Sequence, residues 1–120
     1  MPATRGAPSS FTEALKYAIC IFLGISEADY PTSEITIALN NAGVTKLDTQ
    51  LVVLTEDDIN GLKIPATSSQ PERPLPLMTR KNLLIIIAFY HYACREAGGP
   101  VDLTSVSKAD FDDYCISSYL

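Results

Sequence analysis

Apolar residues recur at helical spacing in several segments of the chain, and short polar or proline-rich stretches separate these segments. The first segment predicts a helix over residues 11–23 that ends at Gly24. Ser10, followed by Glu13 three residues later, is typical of a capping box at the start of this helix. The face predicted to point inward consists of Phe11, Leu15, Ala18, Ile19 and Phe22.

Two further helix starts are marked by capping residues. Ser33 predicts a helix over residues 34–42, ended by Gly43 and turning Ile35, Leu39 and Ala42 inward. Thr55, with Asp58 at the capping-box position, predicts a short helix that Pro65 stops. Between the two, residues 47–54 could form a strand, but no partner strand is evident, so we expect a short helix or turn.

The second half of the chain begins with an interruption. Residues 65–77 carry four prolines and predict a loop without regular structure. Thr79 predicts the cap of a long helix over residues 80–97, with Met78 and Leu83 as a hydrophobic staple and Gly98 after its end. Ser107 predicts the cap of an acidic helix over residues 108–119. No stop signal follows that helix, so we expect the chain to be part of a longer protein.

These periodicities together predict one hydrophobic core. Its expected members are Phe11, Leu15, Ile19, Phe22, Leu39, Leu47, Leu51, Leu54, Ile59, Leu62, Leu84, Ile87, and Tyr90 or its helical neighbours.

Composition narrows the possible functions. The chain has 120 residues, 47% of them hydrophobic, which suits one globular domain. Its formal net charge of -5 argues against a surface for duplex nucleic acid, which needs clustered Lys and Arg. The longest apolar run, residues 83–94, is shorter than the roughly 20 residues that span a bilayer. No signal peptide is evident, so we expect an intracellular, cytoplasmic protein.

The residues that could carry chemistry have ordinary explanations as well. His91 and Cys94 lie three residues apart, and zinc would need two more ligands from Cys20, Cys115 or an acid; the alternative is a histidine and a cysteine packed in the core. The three cysteines are far apart, so we expect free thiols. The same histidine and cysteine could be a Cys–His nucleophile, but no cleft, orienting group or oxyanion donor is evident. No Ser-His-Asp spacing, HExxH motif, phosphate-binding loop or calcium loop occurs. We therefore predict no enzyme activity, no cofactor and no metal.

Two further segments leave alternatives open. Glu56, Asp57 and Asp58 could be acid–base groups or charges that stabilise a helix start, and we favour the second. PERPLP, within residues 71–76, could form a polyproline II ligand or a plain spacer.

The chain resembles the sterile alpha motif, a family of five-helix interaction domains. LTEDDINGLKI over residues 54–64 is similar to one of its short helices, and RKNLLIIIAFYHY over residues 80–92 is similar to its long closing helix. In that family a very short turn joins the two helices, whereas proline-rich residues intervene here. The resemblance implies self-association between a mid-domain surface and the start of the closing helix.

A second resemblance involves the C-terminal part. LTEDDINGL, a long helix and then ADFDDYCISSYL over residues 109–120 are similar to the N-terminal region of copia-type retrotransposon polyproteins of microalgae, where a helical segment precedes the Gag-like part. This resemblance implies a structural rather than a catalytic segment of a polyprotein.

The sequence thus predicts an all-α bundle of five or six helices, with a sterile-alpha-motif-like core and an extra C-terminal helix. We expect a lead-in over residues 1–9, the helical domain over residues 10–98, and a linker with the acidic helix over residues 99–120. The predicted function is protein–protein association, as a weak homo-oligomer or with other polyprotein regions and without a membrane. The alternative is nucleic-acid binding at a basic spot of Arg73, Arg80 and Lys81. The predicted self-association surfaces consist of Asp48, Glu56, Asp57 and Asp58 on one side and Arg80 and Lys81 on the other.

Overall fold

The first helix of the computed structural model is short and changes its winding halfway. The model describes residues 13–119, with the backbone alone for residues 118 and 119. Helix α1 spans Ala14–Tyr17 and continues as a π-helical turn over Ala18–Phe22. Glu13 occupies the N-cap position with an extended backbone (φ -110°, ψ 128°) and no side-chain cap, so the predicted start at Phe11 is wrong. Ser10 and Phe11 lie outside the described residues.

Helix α2 confirms the capping prediction at its start. It spans Glu34–Asn41, and the Ser33 hydroxyl accepts a hydrogen bond from the Thr36 amide at 3.2 Å. A 3-10 turn, Tyr30–Thr32, leads into it. Ala42 is exposed and belongs to no inner face, which corrects the prediction, because the chain already turns away towards Gly43 (φ 81°).

Helix α3 is held by the capping box that the sequence predicts. Leu51–Val53 forms a 3-10 turn, as expected for a short helix rather than a strand, and α3 then spans Glu56–Asn60. The Thr55 amide donates to the Asp58 carboxylate at 2.9 Å, and the Asp58 amide donates to the Thr55 hydroxyl at 3.2 Å. The helix ends at Gly61 rather than at Pro65.

A small antiparallel hairpin corrects the all-α prediction. Strand β1, Lys63–Ile64, pairs with β2, Arg73–Pro74, in the register Lys63 to Pro74 and Ile64 to Arg73. The prediction that residues 65–77 hold no regular structure is therefore wrong. Pro74 is tolerated because this two-stranded sheet leaves one side of each strand free, where a missing N–H costs no ladder bond. Leu75, 1% exposed, anchors the segment in the core.

The long helix begins earlier than predicted. Helix α4 spans Leu77–Ala97, and Pro76, not Thr79, is its N-cap. Met78 is 63% exposed, so it forms no hydrophobic staple, and that prediction is also wrong. At the other end Gly98 has φ 76°, and the Gly99 amide donates to the Cys94 carbonyl at 3.1 Å, as the predicted glycine stop requires.

The C-terminal helix returns to the body of the domain. A 3-10 turn, Leu103–Ser105, precedes α5, Lys108–Tyr119. The Ser107 hydroxyl accepts from the Asp110 amide at 3.2 Å, which confirms the predicted cap. Residues 13–119 thus form a mostly helical domain with five α-helices and one hairpin. No helix in this range is long and apolar enough to cross a membrane.

The core contains most of the predicted members, but α4 buries a different helix face from the one predicted. Leu54 and Leu84 are only partly buried, contrary to prediction, whereas Leu83 and Ile86 are fully buried. The long apolar run allowed several helix faces to point inward, and packing against α3 and α5 selects this one. The predicted members that are buried are Leu15, Ile19, Phe22, Leu39, Leu47, Leu51, Ile59, Leu62, Ile87 and Tyr90; buried residues not predicted for the core include Leu75, Phe89, Leu103 and Phe111.

Candidate functional site

The start of α4 exposes a group of side chains that combines apolar and positive character. Leu77 is 56% exposed and Met78 63% exposed, and Arg80 and Lys81 follow within one turn. No acidic residue lies in this first turn, and Pro76 at the N-cap position makes no side-chain cap bond. The positive end of the helix dipole therefore adds to the two cations. We call Leu77, Met78, Arg80 and Lys81 the α4 start surface.

Arg80 is fixed against the neighbouring helix α3. Its Nη1 donates to the Asn60 side-chain oxygen at 3.1 Å. Its Nε is buried and has no hydrogen-bond partner among residues 13–119. Lys81 is exposed and forms no ion pair with any residue from 13 to 119. Lys81 is thus the cation of this surface that is available to a partner.

The predicted acidic surface is divided between two places. Glu56, Asp57 and Asp58 are exposed on α3, and Asp58 is engaged in the capping box. Asp48 instead lines a cavity of about 520 Å³ together with Glu13, Lys46 and Asp102. The structure therefore groups Glu56, Asp57 and Asp58, which we call the α3 acids, but gives Asp48 other neighbours.

The α3 acids and the α4 start surface lie on adjoining helices. The hydrogen bond between Arg80 and Asn60 joins the end of α3 to the first turns of α4. The end of α3 thus contacts the start of α4 within one molecule. The α3 acids and the cations of the α4 start surface have opposite charges. However, Ile59, the only large apolar residue on α3, is fully buried.

A second acidic surface, which the sequence analysis missed, lies between the end of α4 and α5. A groove of about 570 Å³ separates the two helices. Its aromatic lining comes from Phe89, Tyr92 and Tyr114, and its carboxylates come from Glu96, Asp110 and Asp113. Asp110 and Asp113 lie three residues apart on α5, a spacing that places them on one helix face and that the sequence already contained.

The histidine and cysteine candidates are separate structural groups. The His91 Nε2 lies 2.9 Å from the Val52 carbonyl oxygen, which can only accept, so this nitrogen carries the proton. All three cysteines are free thiols, and burial raises the pKa of both Cys20 and Cys115. Within residues 13–119 no group of three or more His, Cys, Asp or Glu side chains could hold a metal ion.

Tyrosines near the core are shifted towards their neutral form. Burial raises the pKa of Tyr17 and of Tyr30. Burial, followed by the neighbouring Cys94 and Asp48, raises the pKa of Tyr90. Burial is the largest cause in each case, and it favours the neutral phenol in the folded chain.

No protein-family model, no curated protein and no solved structure matches this chain.

Proposed function

We propose that this chain is a non-enzymatic protein–protein association domain that self-associates weakly through the α4 start surface. The observation that carries this proposal is the exposure of Leu77 and Met78 beside Arg80 and Lys81. Burying a Leu or Met side chain completely stabilises a contact by about 1.5–3 kcal/mol. A partner that covers both side chains and supplies carboxylates would gain from apolar burial and from charge pairing.

The sequence resemblances support an association role. The sterile alpha motif likeness of residues 54–64 and 80–92 implies a domain that binds through the start of its closing helix. The likeness of residues 109–120 to copia-type polyproteins suggests a setting, the structural part of a retroelement polyprotein. In that setting the partner is another copy of the chain or another region of the polyprotein.

Exposed carboxylates on the chain itself make a second copy a suitable partner for the cations of the α4 start surface. The formal net charge is -5, and the α3 acids are one exposed acidic group that could receive Arg80 and Lys81. An exposed ion pair contributes only about 0–1 kcal/mol and is screened by salt. The contact is therefore weak and salt-sensitive, and its apolar part sets the affinity that remains at high salt.

The nucleic-acid alternative receives less support from the contacts. Arg73 pairs with Glu34 at 3.0 Å, and Arg80 is bound to Asn60, so two of the three cations of the basic spot already have partners. Nucleic-acid affinity depends on several free cations acting together.

Sedimentation velocity across a concentration series, at low and at high salt, tests the proposal. We expect the wild-type sedimentation coefficient to rise with concentration and Lys81→Glu to reduce this rise. Lys46→Glu is the matched control, because it makes the same charge change on an exposed lysine beside the Asp48 cavity, outside both the α4 start surface and the groove between α4 and α5. Added RNA should leave the profile unchanged. A wild-type protein that remains monomeric at low salt and high concentration would show that the proposal is wrong.

A further inference from the structure

The α4 start surface and the α4–α5 groove occupy opposite ends of one helix. Ala93 lies fifteen positions after Met78 on α4, which is a rise of about 22 Å along the helix axis at 1.5 Å per residue. Side chains of the first turn therefore cannot reach the groove of their own molecule. Any contact between these two surfaces joins two copies.

The groove is acidic and so complements the positive charge of the α4 start surface. Glu96, Asp110 and Asp113 line it, and no Lys or Arg in the described part of the chain does. Among residues 13–119 none of these three carboxylates forms an ion pair. Asp112, also on α5, is by contrast paired with Lys108 at 2.8 Å and does not line the groove.

The aromatic lining supplies the apolar half of the match. Tyr92 and Tyr114 have ring centroids 4.9 Å apart, and Phe89 lies 5.3 Å from Tyr114. A methionine thioether packs favourably against aromatic rings, and cations are attracted to their faces. The groove volume of about 570 Å³ lies within the usual range of binding clefts, about 300–1,000 Å³.

We infer that the α4 start surface of one copy docks in the α4–α5 groove of the next, with Leu77 and Met78 against the aromatic rings and Lys81 towards the carboxylates. This inference rests on the proposed function and identifies the groove as the acceptor, the surface of the second copy that receives the α4 start surface. The α3 acids are a weaker acceptor, since α3 exposes no large apolar side chain and Arg80 already lies against it within the same molecule.

The arrangement determines the type of assembly. The two surfaces are unlike, so the contact is heterologous, and copies add head to tail. Each copy uses both ends of α4, and an open chain grows unless the rotation between copies closes a ring. Growth is graded with concentration and weakens as salt screens the carboxylates.

Matched variants on neighbouring positions of α5 test the inference. Asp113→Lys reverses a groove carboxylate, and Asp112→Lys makes the same charge change on a carboxylate outside the groove. We expect Asp113→Lys to weaken association roughly tenfold or more, because it brings like charges together at the contact. We expect Asp112→Lys to remain within about twofold of wild type. Far-UV circular dichroism confirms that each variant is folded, and Asp113→Asn is the milder substitute if Asp113→Lys is not.

The outcomes separate this inference from the proposed function. If Lys81→Glu weakens association while Asp113→Lys and Asp112→Lys behave alike, the groove is not the acceptor and the inference is overturned. The same result together with a loss in Asp57→Lys would assign the α3 acids as acceptor and leave the proposed function intact. If the wild-type chain does not associate at all, both are wrong.

Discussion

The ring of Phe111 on α5 lies parallel to the ring of Phe22, with centroids 4.5 Å apart and planes only 4° apart. Phe89 on α4 meets both rings edge-on, at 5.6 Å from Phe22 and 5.3 Å from Phe111. This three-ring cluster fixes α5 beside the end of α4. The two walls of the α4–α5 groove are therefore held by the core and not by surface contacts.

Removing the Phe111 ring should destabilise the whole domain. Phe111 is almost fully buried, so Phe111→Ala should lower the free energy of unfolding by about 3–5 kcal/mol, measured by urea denaturation. Ile116→Ala is the control on the same helix, because Ile116 is 58% exposed and should change stability by less than about 0.5 kcal/mol. Equal midpoints for the two variants would show that α5 does not share the core.

Leu75 should anchor the proline-rich segment. Leu75→Ala should cost about 2–5 kcal/mol of unfolding free energy, because the side chain is fully buried. Leu77→Ala deletes the same atoms two positions later on an exposed side chain and should cost far less. A Leu75→Ala protein as stable as the Leu77→Ala protein would mean that this segment contributes nothing to the core.

Two neighbouring leucines on α4 should differ sharply in their contribution. Leu83 is fully buried and Leu84 only partly, so Leu83→Ala should lower the unfolding free energy by about 2–5 kcal/mol and Leu84→Ala by less. Chemical denaturation of both variants measures the difference. A larger loss for Leu84→Ala would contradict the observed burial and would mean that α4 buries the face predicted from the sequence.

Stability should fall in alkaline solution. Burial raises the pKa of Tyr17, Tyr30 and Tyr90 above the ordinary value of about 10. The unfolded chain then loses these protons before the folded chain does, so their stabilising contribution is complete below about pH 10 and disappears as pH rises through the raised values. Urea midpoints measured from pH 8 upward should be constant and then fall. Tyr90→Phe should reduce the fall, and an unchanged alkaline profile in that variant would contradict the assigned shift.

The sequence was most informative where structure depends on neighbours along the chain. Ser33, Thr55 and Ser107 were predicted as caps, and each bonds an amide within three residues of itself. The start of α4 was missed because Pro76, which provides no side-chain oxygen, replaces such a cap.

Contacts between distant segments were not predictable in the same way. The pairing of Ile64 with Arg73 and the stacking of Phe22 on Phe111 join residues whose local patterns carry no sign of each other. The α4–α5 groove depends on that stacking. The charged residues of the α4 start surface could therefore be named from sequence, whereas the groove could not.

One mixing experiment tests head-to-tail self-association most directly. The double variant Met78→Ser/Lys81→Ser keeps the groove but loses the most exposed apolar side chain and the available cation of the α4 start surface, and it adds no charge that could attract a lysine. The double variant Asp110→Lys/Asp113→Lys keeps that surface but loses two groove carboxylates.

Each double variant alone should be monomeric in sedimentation equilibrium at low salt. Every possible contact between two identical copies then lacks either an intact α4 start surface or an intact groove. An equimolar mixture should form a one-to-one dimer with twice the monomer mass that grows no further, since only one intact pair of surfaces remains. A mixture in which both proteins stay monomeric, beside a wild-type chain that associates, would contradict the account.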